Sequence, residues 1–142
     1  MKLTEHFTLE EFTHSTTAAK YGIINYPDSV SRDNITTLAE MLETIRESWG
    51  KPIYITSGYR CKKLNSLVGG ASTSDHMYGR AADIVTTSRT KKELKELHNL
   101  ICAMYQNGFL PNLYQCIWEK DSWIHLSFRT IPGIKAQFFC IA

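Results

Sequence analysis

The chain has 142 residues, 43% hydrophobic and 21% charged, with a formal net charge of +2. That length predicts one domain, residues 1–142, able to bury a core without staples. The composition is that of a soluble globular protein, it excludes a fibrous or low-complexity chain, and its mild basicity argues against a nucleic-acid partner.

Taken in chain order, Met-Lys-Leu-Thr-Glu-His-Phe at the start lacks the apolar core of a signal peptide. No stretch approaches the roughly 18 apolar residues of a membrane span. The expectation is synthesis in the cytoplasm, no membrane insertion and a monomer. Thr8-Leu-Glu-Glu11 is a capping-box pattern and predicts a short helix, whereas residues 14–31 read as irregular. Ile35, Leu38, Leu42, Ile45 and Trp49 recur at helical spacing, and Gly50 supplies a stop. Pro52–Thr56 reads as a strand, ended by Ser57-Gly-Tyr-Arg60. Leu64, Leu67 and Val68 predict a short helix closed by Gly69-Gly70, and Arg80–Val85 a second strand. Thr90-Lys-Lys-Glu93 is another capping pattern, opening a helix with Leu94, Leu97, Ile101 and Met104 inward and Gly108 at its end. Tyr114–Glu119 and Trp123–Phe128 predict a hairpin around Lys120-Asp121-Ser122, and Ala136–Ile141 a last strand. The sum is an α+β domain with a small antiparallel sheet flanked by helices.

The chemistry concentrates in Ser74–Asp83, Ser-Asp-His-Met-Tyr-Gly-Arg-Ala-Ala-Asp, and in Trp123-Ile-His125. His76, Asp83 and His125 offer two imidazoles and one carboxylate, the number of protein ligands typical of catalytic zinc. The placement expected is His76 on a loop, Asp83 within the following strand and His125 on a neighbouring strand. Gly79 would let the chain turn tightly between the first two. His6, His14 and His98 lack such surroundings and read as surface or structural. The four cysteines, Cys61, Cys102, Cys116 and Cys140, form no CxxC pair and are expected as free thiols outside the metal site.

Ser57-Gly-Tyr-Arg60, Asn65, Gly69-Gly70, Ser74-x-His76-x-x-Gly79-x-Ala81-x-Asp83 and Trp123-Ile-His125 together resemble the D-Ala-D-Ala carboxypeptidase family of zinc peptidases, M15, which includes phage endolysin peptidases. The resemblance runs in order from Phe7 to about Ser127. It implies the zinc peptidase fold shared with Hedgehog signalling domains, one Zn²⁺ on His76, Asp83 and His125, and a peptidoglycan stem peptide as substrate. It also implies that Arg60 polarises the substrate carbonyl or holds the substrate, as its planar fork of donors suits. Ser74 is expected either to bind substrate or to order its loop. A phage or prophage endolysin, acting on the wall after release, fits this picture.

One position departs from the pattern. Many family members carry an acidic residue three places before the last histidine, where this chain has Ser122. Glu119 and Asp121 are the nearby carboxylates. Glu119 is preferred as general base because the end of one hairpin strand faces the next; Asp121 reads as a turn residue. Trp118, Trp123, Tyr59 and Tyr78 flank the motifs as a substrate wall or as packing, with Trp123 taken as substrate-binding. The alternative to a carboxypeptidase or endopeptidase is a zinc-containing binding module without catalysis.

Overall fold

The computed structural model describes residues 1–141. Thr8 opens helix α1 (Leu9–Thr13) with the reciprocal capping box: its hydroxyl accepts from the Glu11 amide, and the Glu11 carboxylate accepts from the Thr8 amide. Residues 14–31 are more regular than the sequence suggested. The Ser15 hydroxyl accepts from the Ala18 amide and starts a second helix, α2 (Thr16–Lys20). Its single buried side chain, Ala18, leaves no apolar period to read. Asp28 caps the long helix α3 (Ser29–Trp49), which ends at Gly50 in the left-handed conformation (φ 74°). Ile35, Leu38, Leu42 and Ile45 are fully buried along it. Helix α4 (Lys62–Leu67) buries Leu64 but leaves Leu67 and Val68 exposed. Thr90 caps helix α5 (Lys91–Gln106), whose Leu94, Leu97 and Ile101 are fully buried.

Five strands form one sheet: β1 (Ile53–Ser57), β2 (Ala81–Thr86), β3 (Leu113–Glu119), β4 (Trp123–Phe128) and β5 (Gln137–Ile141). Their spatial order is β1-β2-β4-β3-β5. The β3–β4 hairpin turns through Lys120 and Asp121, both at positive φ, with the Ser122 amide donating to the Glu119 carbonyl. The α+β class holds, but the sheet is not wholly antiparallel, because β5 runs parallel to β3. The reason is topological. Link 129–136 leaves β4 where β3 begins, so the chain rejoins on the far side of β3 and runs in its direction.

Strand alternation divides the sheet into two faces. Ala82, Ile84, Cys116, Trp118, Ile124 and Leu126 turn toward the helices and are buried in the core, where α5 packs across β2, β3 and β4. On the opposite face Ser57, Asp83, His125 and Ile117 stand side by side on four adjacent strands. That row is the floor of the site.

Candidate metal centre

His76 is delivered by a turn. The Ser74 hydroxyl accepts from the His76 amide at 3.2 Å and starts a 3₁₀ turn, Asp75–Tyr78. Gly79 ends it at φ 74°, and a Cβ there would sit 2.4 Å from the Ser31 carbonyl oxygen. Only glycine satisfies both the backbone angle and this contact with α3. Asp75 anchors the turn from below. Its carboxylate accepts from Arg80 Nε at 3.2 Å and Nη2 at 3.1 Å, and from Arg129 Nη1. The two guanidiniums each lie 4.6 Å from a ring centre, Arg80 over Tyr78 and Arg129 over Tyr114. His76 is 3% exposed, and its Nδ1 lies 2.7 Å from the Gly58 carbonyl. A carbonyl only accepts, so Nδ1 carries a proton and Nε2 is the ring nitrogen turned toward the cleft.

The sheet delivers the other two groups. Asp83 and His125 are direct cross-strand partners on β2 and β4. Asp83 Oδ1 lies 3.4 Å from His76 Nε2 and 3.0 Å from His125 Nδ1. Burial pushes the Asp83 carboxyl up, but hydrogen bonds and positive charge from His125 and His76 outweigh it and hold it well below the usual carboxylate range. The three candidate donor atoms lie within 4.8 Å of one another. Zinc bonds of 2.0–2.2 Å in tetrahedral geometry place ligand atoms about 3.4 Å apart. Two imidazole nitrogens and an ionised carboxylate at this spacing fit zinc in chemistry and in size.

The three groups open into a cleft of about 280 Å³ lined also by Arg60, Ser74, Ile117, Glu119 and Trp123. The three metal candidates, Arg60, Ser74, Glu119 and Trp123 therefore meet in one place. The Arg60 guanidinium donates to the Ser74 hydroxyl at 3.4 Å. Burial lowers its pKa from the ordinary value while the charges of Asp83 and Glu119 oppose that shift. Glu119 Oε2 accepts from the Trp123 indole at 3.0 Å. Asp121 is instead 59% exposed at the side chain, pairs with Lys91 and does not line the cleft. Of the four flanking aromatics only Trp123 is a wall of the cleft. Trp118 turns into the core, Tyr59 is packed in it, and Tyr78 stacks outside on Arg80. The cysteines are free thiols and none joins the cluster.

Three contributors had no role assigned from the sequence, although Gly58 stands within the Ser57-Gly-Tyr-Arg60 motif. Ile117 lines the cleft opposite His125, and strand period alone places it there. Gly58 must lack a side chain because a Cβ would lie 2.5 Å from the Phe12 carbonyl, and its own carbonyl orients His76. Arg129 reaches Asp75 across a sequence separation of 54, and nothing local announces it.

The family model described as Peptidase M15 matches residues 5–127. Zinc D-Ala-D-Ala carboxypeptidase of Streptomyces albus G is 44% identical over 57 residues, which span 39% of this chain and 22% of that protein. Among the described residues no helix is long and apolar enough to cross a membrane.

Proposed function

The chain belongs to the peptidase M15 family, and from that premise we propose that it is a single-domain zinc peptidase hydrolysing a peptide bond in bacterial cell-wall stem peptides. The observation that carries the reading is convergence. Arg60, the His76–Asp83 stretch and the Glu119–His125 stretch are well separated in sequence, yet all five residues line one cleft. The name of the Streptomyces relative supports a carboxypeptidase-like substrate; an endopeptidase of an endolysin is the same chemistry on a longer peptide.

His76, Asp83 and His125 would hold one Zn²⁺, with His76 offering Nε2 and His125 offering Nδ1. Zinc, when bound, supplies Lewis acidity toward water and a substrate carbonyl. Glu119 takes the proton of the attacking water and returns it to the leaving amine. The Trp123 indole holds Glu119 Oε2, which leaves Oε1 for that water. Arg60 donates to the carbonyl oxygen as negative charge develops. The Gly58 carbonyl holds the His76 ring, and the Asp75 cluster holds its turn.

The test is Glu119→Gln in the zinc-loaded protein, read by chromatography of products from purified murein fragments. Zinc content and melting temperature should stay near wild type while turnover drops by about 10² to 10⁴-fold. Asp121→Asn should cut normally. Normal cutting by Glu119→Gln would remove it from the base role. A zinc-loaded wild type that cuts no stem peptide would overturn the peptidase reading in favour of a binding module.

A further inference from the structure

The metal cleft is small. At about 280 Å³ it lies at the low end of ligand sites, enough for little beyond the residues flanking one peptide bond. A longer substrate must leave it, and the structure offers an exit. Arg60 lines both this cleft and a second groove of about 380 Å³ that runs beside β1. The two spaces therefore share a wall.

The second groove has a distinct chemistry. Two arginines, Arg60 and Arg89, and His14 line it, together with hydroxyl residues of α2 and β1 such as Thr17 and Thr56. Among the described residues that line it, none is a carboxylate. Such a lining suits an anionic group with several hydrogen-bond acceptors. Arg89 is also held in an uncommon way. It sits at φ 55°, the left-handed region that costs a non-glycine residue free energy. The fully buried Thr86 fixes it there, its hydroxyl accepting from the Arg89 amide at 3.2 Å. Thr90, the next residue, is tied down as the cap of α5. The loop thus carries an arginine where glycine would be easier, and its side chain lines the groove.

We propose that this groove, with Arg89 as its cation, is a subsite for a carboxylate carried by the substrate peptide on the side of Arg60 away from the metal donors. The inference rests on the peptidase reading and narrows the substrate to a peptide that extends beyond the cleft and bears an acid there. Arg89 is a specificity residue, remote from the reacting bond.

The experiment uses a fluorescent stem peptide with one acidic side chain and the same peptide with that acid amidated. Binding by anisotropy and the kinetic constants kcat and KM are measured for the zinc-loaded wild type, Arg89→Ala and Arg89→Gly. Glycine relieves the positive-φ strain, so loss of folding is not at issue in that variant. Amidation should weaken binding to the wild type about tenfold and raise KM with kcat held, the scale of one partly exposed charge-assisted contact. Both variants should bind acid and amide alike. Equal discrimination in wild type and variants, or none in the wild type, would overturn the proposal. If the wild type binds the peptides but cuts neither, the peptidase reading fails while the anisotropy comparison still decides the subsite.

Discussion

Replacing Gly79 with alanine tests how the turn that carries His76 is seated on α3. Two costs add at this position. The left-handed backbone (φ 74°) costs an alanine about 1–2 kcal/mol. The new methyl would also lie 2.4 Å from the Ser31 carbonyl oxygen and 2.9 Å from Ile35 Cγ1. Backbone cannot yield as a flexible side chain does, and relieving such overpacking costs about 1–3 kcal/mol more. Gly69 is the control, because it has φ 76° with nothing within 4 Å of an added Cβ. At 142 residues the unfolding entropy is about 0.3 kcal/mol per degree. Gly69→Ala should therefore lower Tm by about 3–7 °C and Gly79→Ala by about 7–17 °C. Calorimetry of the metal-free proteins reads both. Zinc titration should show weakened affinity in Gly79→Ala only, since His76 belongs to that turn. Equal Tm losses with unchanged zinc affinity would refute the claim that contact with α3 positions the turn.

Other perturbations follow from the same contacts. Asp75→Ala leaves two arginines facing each other, about a quarter exposed, and should cost about 2–3 kcal/mol with weaker zinc binding, measured by urea unfolding and zinc titration. Replacing Cys61 or Cys116 by Ala should leave zinc content unchanged. In thiol labelling of the native protein Cys140, which is exposed, should react well before Cys116, whose thiol burial pushes up. Asp28 caps α3, and the Ser31 amide holds its carboxylate below the ordinary value of 3.8. Because the folded value is depressed, the cap's contribution is present above 3.8 and lost as pH falls through the lower folded value. Wild-type Tm should accordingly fall toward that of Asp28→Ala at the acid end, and a constant gap at all pH would contradict the assignment.

What the sequence disclosed was local. The α3 stripe, the Thr8 and Thr90 caps and the β3–β4 hairpin each depend on residues within a few positions, so their patterns are visible in the chain itself. The His76–Asp83–His125 cluster was legible for a different reason: the chain has only five histidines, and the glycine and alanines between His76 and Asp83 mark a tight turn entering a strand. Strand period also explains Trp118. With Glu119 facing the cleft, its neighbour must face the core. Non-local choices stayed hidden. The parallel docking of β5 depends on where link 129–136 returns the chain, and the Arg129–Asp75 pair depends on β4 lying beside β2, with the Phe128 amide donating to the Arg80 carbonyl. Helix α2 was missed because a single capping serine and one buried alanine give it no period.

The most direct test of the metal centre is X-ray absorption at the zinc edge of the zinc-loaded protein. A shell of nitrogen and oxygen only is expected, at about 2.0–2.2 Å, with the outer scattering of two imidazoles. His76→Ala and His125→Ala should each remove one imidazole from that pattern or lose the metal. A sulfur shell near about 2.3 Å, or a spectrum unchanged by either histidine substitution, would contradict a centre built from His76, Asp83 and His125.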